Sequence, residues 1–180
     1  MVRALLIIDV QRCLCEGRYA VFEVERVIDR INLASRQARA AGAPVVLIQH
    51  ETSGGGLMDP GSPGWELAPG LETAPGDHRV GKQATDSFHR TELQALLQRL
   101  GVDELVICGL QSDFCVDTTT RRALALGYPV LLVADGHSTL DNGVLSAAQI
   151  SAHHTVTLAN IESFGPRVVP LPASDLSFAE

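Results

Sequence analysis

Residues 104–135, ELVICGLQSDFCVDTTTRRALALGYPVLLVAD, decide how this chain folds. Two apolar runs, Glu104–Gly109 and Pro129–Asp135, flank a segment whose pattern changes from continuous to periodic. Neither run alternates strictly with polar residues, which predicts parallel strands covered on both faces. Between them, Asp117–Leu126 carries apolar residues at helical spacing and is closed by Gly127, the residue type that ends helices. Strand, helix and strand in about 30 residues make a βαβ unit with a right-handed crossover.

The same alternation runs outward from this unit. Ala4–Val10, Pro44–His50 and Thr155–Ile161 read as further strands. Helical patterns occupy 22–41, Thr91–Leu100 and 144–153, and the first two again stop at a glycine. The prediction is an α/β fold, a three-layer α/β/α sandwich on a mostly parallel sheet, in one domain spanning 1–180. Segment 51–88 breaks the regularity. It is rich in Gly and Pro, holds the only Trp, and is expected to form an ordered excursion over the ligand site. The tail beyond Gly165 reads as an irregular surface segment that docks through Val168 and Val169.

Composition removes several classes of function. Hydrophobic residues make up 46% and charged residues 19%, as in ordinary folded proteins. A net charge of −7 argues against nucleic acid as a partner, because phosphate binding needs a basic surface. No apolar run approaches the ~20 residues that cross a bilayer, so no membrane partner is expected. Asp9 interrupts the first apolar run, so MVRALLIIDV reads as a buried strand rather than a leader, with the cytoplasm as the expected location. Four cysteines are too few for a disulfide scaffold, and no C-x-x-C or paired histidines complete a zinc site. Cys13, Cys15 and Cys108 are expected to be reduced, partly buried thiols.

Ligands of open α/β sheets bind beyond the carboxyl ends of the strands. The polar residues there are Asp9 and Gln11, His50 and Glu51, Gln111 through Cys115, and Asp135 through Ser138. Cys115 stands where turn-formers give way to a helix, and a helix N-terminus favours thiolate and offers amides to an oxyanion. The same placement suits a packing cysteine, or a redox-sensing thiol with Cys13 or Cys15 as resolving partner. Asp9 adds a carboxylate to the same sheet edge, where it can accept a thiol proton and return it to a leaving group. Lys82 follows a short strand-like VGK piece, and its ammonium would keep Asp9 ionised and stabilise a thiolate.

LLIIDVQ, GKQATDSF and GLQSDFCVDTTTRRALALGY, in that order and spacing, resemble the isochorismatase-like cysteine hydrolases. GSPGWEL and the FGPRVV ending fit the same superfamily, so the resemblance covers nearly the whole chain. It implies a six-stranded parallel sheet of Rossmann-like topology and Asp9, Lys82 and Cys115 as a catalytic triad. It also implies a cis peptide between Leu110 and Gln111, with the Gln111 and Cys115 amides forming an oxyanion hole. The implied reaction is hydrolysis of a C–N bond in a small-molecule amide, ureide or lactam, without an organic cofactor, by a homodimer or homotetramer. FCVDTTTRRALALGYPV looks most like the streptothricin-hydrolase-like branch.

Departures from the family pattern narrow the reading. Related nicotinamidases carry a metal-binding Asp-x-His after the second strand, whereas here IQHETSGGG puts Ile48 at the Asp position. No metal is therefore expected, and His50 and Glu51 are read as pocket-lining residues. Retention of Cys115 argues against the acid chemistry of members that lack the cysteine. Gln11, Phe88, Phe114 and Trp65 complete the set of candidate substrate contacts: Phe88 or Phe114 as a stacking partner for a planar amide, with core packing equally open to Phe88, and Trp65 as a lid or subunit-contact residue. His137 and Ser138 are expected to cap the loop after the fourth apolar run.

Overall fold

The computed structural model describes residues 1–178. Six strands form one sheet: β1 (Arg3–Ile8), β2 (Val45–His50), β3 (His78–Lys82), β4 (Glu104–Leu110), β5 (Val130–Ser138) and β6 (Val168–Leu171). Their order across the sheet is β3-β2-β1-β4-β5-β6, and every pairing is parallel. The chain therefore builds outward from β1 in one direction, returns, and builds outward from β4 in the other. The reversal lies between β1 and β4, which is where such sheets open a crevice at their carboxyl ends.

Among the described residues five α-helices complete the layers: α1 (Arg12–Cys15), α2 (Val24–Ala40), α3 (Leu93–Arg99), α4 (Asp117–Ala125) and α5 (Ala147–Ala159). Successive residues of β1 feed opposite faces of the sheet. Ala4, Leu6 and Ile8 join the side chains of α3, α4 and α5 in one core, while Leu5 and Ile7 join those of α2 in the other. Both faces are buried, so the strand has no solvent side on which to place polar residues. Fully burying each Leu or Ile contributes about 2 kcal/mol before entropy is counted. Among the described residues no helix is long and apolar enough to cross a membrane.

Two elements differ from the sequence expectation. Thr155–Ile161, expected as a strand, begins inside α5. Ser146 accepts from the Gln149 amide while the Gln149 side chain accepts from the Ser146 amide, a capping box that starts a helix through Ala159. Ala147, Ile150 and Leu158 are the residues it buries deeply, and Val156, which made the segment look like a strand, is exposed. The missing strand is β6, in the tail expected to be irregular. It pairs with β5 at the sheet edge, where Pro170 can sit without breaking an inner ladder. Val168 docks as expected, but Val169 is exposed.

Candidate active site

The carboxyl ends of β1 and β4 lie side by side, with Ile8 opposite Gly109. Beyond Ile8 the chain turns sharply. Asp9 adopts a left-handed conformation (φ 52°), tolerated by Asp more readily than by most residues, and its carbonyl accepts from the Gln11 amide at 2.8 Å. Beyond Gly109 comes the cis Leu110–Gln111 bond, then a π-helical turn, Ser112–Val116, continuous with α4. Both the Phe114 and Val116 amides close that turn on the Gln111 carbonyl at 3.2 Å. Cys115 thus sits within a wide turn rather than at a bare helix start. Such turns recur at functional sites.

Lys82, at the end of β3, reaches across the ends of β2 and β1 and is 2% exposed. Its Nζ donates to Asp9 Oδ2 at 2.7 Å and to the Ala84 carbonyl at 3.0 Å. It also lies 3.2 Å from Cys115 Sγ and 3.1 Å from His50 Nδ1. The structure therefore gathers Asp9, Lys82 and Cys115 from three distant segments into one buried cluster. Asp9 Oδ1 has no partner among the described residues. The loop after Lys82 is tied to α4: the Ser87 amide donates to Thr119 Oγ1 at 3.1 Å, and Thr119 Oγ1 reaches the Thr85 carbonyl at 3.3 Å.

Burial dominates the electrostatics. It holds the Asp9 carboxyl above its ordinary value, although Lys82 opposes the shift. Burial, with the charge of Asp9 adding to it, pushes the Cys115 thiol up to about 12. The thiolate expected from a helix start is thus not the resting form, because desolvation outweighs the dipole and the ammonium. His50 is held below its ordinary value, first by burial and then by Lys82, so its ring is neutral. Asp9, His50 and Cys115 offer atoms within 4.8 Å of one another, a spacing that suits a metal ion. Here Lys82 Nζ contacts all three, so the cation they share is an ammonium.

A cavity of about 690 Å³ reaches the site through Gln111, while Asp9, Lys82 and Cys115 are not among its lining residues. Gln111, Asp113 and Phe114 form its wall on the π-turn side; Cys13, Leu14 and Tyr19 line it after β1, Leu57 and Met58 in the excursion, and Thr139–Asn142 after β5. Phe114 lines it as a half-exposed ring. The other substrate-contact candidates lie elsewhere. Gln11 is fully buried, and its amide clamps backbone: Oε1 accepts from the His50 amide, and Nε2 donates to the His50 and Trp65 carbonyls. The Trp65 carbonyl also accepts from Gln49 Nε2, which pins the excursion to β2, and the indole is not part of the cavity wall. Phe88 stacks on Tyr128 in the core, ring centroids 6.3 Å apart. Glu51 lies over Gly81 and, with Lys82, Gln83 and Arg90, lines a second cavity of about 480 Å³. His50 touches Lys82 rather than the cavity.

Sequence reasoning missed one group. His137, expected as a loop cap, is buried and hydrogen-bonds Ser112 Oγ through Nδ1 at 2.7 Å and Thr155 Oγ1 through Nε2 at 3.0 Å. Ser138 does act on a loop, donating to the Phe22 carbonyl at 2.7 Å.

The model of the isochorismatase domain matches residues 3–164. A streptothricin hydrolase of Streptomyces noursei is 45% identical over 140 residues, 78% of this chain and 51% of that protein. The chain thus spans about half the length of that relative. A ureidoacrylate amidohydrolase of Methylobacterium radiotolerans is 31% identical over 199 residues, covering 89% of this chain and 73% of that one. Among solved structures, an isochorismatase family protein superposes with a TM-score of 0.85 at 37% identity, covering 94% of this chain and 97% of the other.

Proposed function

The chain belongs to the isochorismatase family, and from that premise we propose that it is a cysteine-dependent hydrolase of C–N bonds in small amides, ureides or lactams. The observation that carries the reading is the single buried contact set of Lys82 Nζ, which touches both Asp9 and Cys115. Relatives named for hydrolysis of streptothricin and of ureidoacrylate support the bond class.

Asp9 takes the Cys115 thiol proton as the sulfur attacks the substrate carbonyl carbon. A high thiol pKa does not forbid this step. Before and after transfer the cluster holds one negative charge against one ammonium, and once Asp9 is protonated its repulsion of the thiolate is gone. Gln111 and Cys115 backbone amides receive the oxyanion of the tetrahedral adduct. Asp9 then gives its proton to the departing nitrogen, the C–N bond breaks, and a thioester remains on Cys115. Water attacks the thioester while passing a proton to Asp9; collapse releases the carboxylic acid, and the Asp9 proton returns to sulfur.

Of the two cavities, we place the substrate in the one that Gln111 lines, and that choice favours a neutral or cationic molecule. Asp113 and Asp141 are among that cavity's lining residues, and Lys and Arg are not. A redox-sensor role fits less well, because a thiol pushed up to about 12 is a poor target for oxidation. The test is a panel of neutral, cationic and anionic amides, ureides and lactams, assayed for ammonia or amine release. Turnover by the wild-type protein and its loss in Cys115→Ala are expected. Wild-type turnover by Cys115→Ala would sink the mechanism.

A further inference from the structure

Four residues beneath the π turn form a hydrogen-bonded ring, closed through the Ser151 backbone carbonyl, whose proton positions can be worked out. The Thr155 hydroxyl spends its one proton on the Ser151 carbonyl, at 2.8 Å. Thr155 Oγ1 must then accept in its 3.0 Å contact with His137 Nε2, so that nitrogen carries a hydrogen. A neutral ring protonated at Nε2 has a lone pair at Nδ1, and Ser112 Oγ, 2.7 Å away, donates to it. Ser112 has no second proton, so in the 2.9 Å Ser112–Ser151 contact the Ser151 hydroxyl is the donor. Every proton of the ring has an acceptor, and each link has one direction.

The ring joins three elements. His137 stands on β5, where it pairs with Gly109 of β4. Ser112 is the first residue of the π turn, next to Gln111. Ser151 and Thr155 lie one turn apart on α5. His137 is 4% exposed, so the bonds work without competition from solvent. Burial first, then the neighbouring His154, pushes the ring down to about 4 against the pull of Asp135, which keeps it neutral.

We propose that His137, as the neutral Nε2–H tautomer, is a positioning residue that holds Ser112, and through it the Gln111–Cys115 turn, in the geometry that receives the oxyanion. The inference deepens the hydrolase reading and rests on it. Displacing such a turn by about 1 Å costs on the order of 10²-fold in rate while leaving ground-state binding alone. A glutamine amide can replace the ring, since its oxygen accepts from Ser112 and its nitrogen donates to Thr155.

The test uses 4-nitrophenyl acetate as an acylating probe with wild type, Cys115→Ala, His137→Leu and His137→Gln, alongside 15N NMR of the histidine rings. Loss of acylation in Cys115→Ala upholds the hydrolase reading; wild-type acylation there defeats that reading and leaves the NMR to judge the tautomer. For His137→Leu the expected result is a fall in acylation rate constant of roughly 10²-fold at unchanged half-saturation, with His137→Gln within a few-fold of wild type. A folded His137→Leu that acylates at the wild-type rate would overturn the proposal. So would an Nδ1–H tautomer at neutral pH. If His137→Leu fails to fold, the rate of His137→Gln and the tautomer still decide.

Discussion

Gly109 passes so close to Ile8 that a Cβ built on it would lie 2.1 Å from the Ile8 carbonyl oxygen. Its φ of 120° is also one that side-chain-bearing residues rarely adopt. This contact sets the spacing between the strand that ends in Asp9 and the strand that leads to Cys115. Gly109→Ala has no flexible neighbour to displace, since the obstruction is backbone. We expect a loss of well over 1 kcal/mol of stability, read as a lowered urea midpoint, together with loss of turnover. An unchanged midpoint would refute the role assigned to this glycine.

Asp9 and Lys82 are buried together, so each leaves an uncompensated charge when the other is removed. Lys82→Met and Asp9→Asn should each lower stability by about 3–5 kcal/mol. The double variant should be more stable than Lys82→Met alone, yet inactive. Additive losses in a double-mutant cycle would contradict the coupling that their 2.7 Å contact implies.

Acid should stop turnover by protonating Asp9. A base works only when ionised, and burial raises this carboxyl above its ordinary value of 3.8. As pH falls, the acid limb of kcat/KM should therefore have its midpoint above 3.8. A limb at or below that value would assign the base to another group.

His137 makes stability depend on pH in a defined window. Its ring titrates at about 4 in the fold against an ordinary 6.5, so between these values the unfolded chain binds a proton that the folded one does not. Stability from this residue is whole above 6.5, is lost as pH falls to about 4, and is constant below. The full loss amounts to about 3 kcal/mol. Urea unfolding at pH 7 and pH 4.5 should show a smaller difference for His137→Gln than for wild type; equal differences would argue against a neutral buried ring.

At the cavity rim, Asp141→Asn should raise KM for cationic amides by up to about fivefold and leave neutral ones unchanged. The asparagine oxygen can still accept from the Ala147 amide, as Asp141 does at 2.7 Å, so the start of α5 is preserved. Equal effects on both substrate classes would remove charge as the reason for the preference.

Several features were legible in the sequence because each breaks a local rule. Asp9 interrupts an apolar strand, Cys115 follows turn-formers and precedes a helical pattern, and segment 51–88 is irregular for its length. Lys82 has no such mark: a lysine after a short strand-like piece gains weight only beside Asp9 and Cys115. The misread segment Thr155–Ile161 opens with three β-branched residues, Thr155, Val156 and Thr157, which imitate a strand; Ser146 and Gln149, three apart, are the helix signal that outweighs them. Ser112, His137, Ser151 and Thr155 are ordinary polar residues on separate elements. Nothing in their spacing marks them, because their ring is closed by the packing of α5 against β5. Gln11, His50 and Glu51 were placed at the correct sheet edge, but strand ends point side chains in several directions, and the sequence does not say which of them meet the cavity.

Lys82 Nζ has three protons and four neighbours able to take them: a carboxylate, an imidazole nitrogen, a carbonyl and a sulfur. One contact must always go short. While Cys115 is a thiol, its sulfur is the weakest claimant and goes without. A sulfur that gains negative charge becomes one of the strongest, and the proton it needs is already 3.2 Å away or less on an amine that has nowhere to travel. The site is therefore under-supplied at rest in the one direction that chemistry would correct, and that correction is a reassignment of hydrogen bonds rather than a movement of atoms.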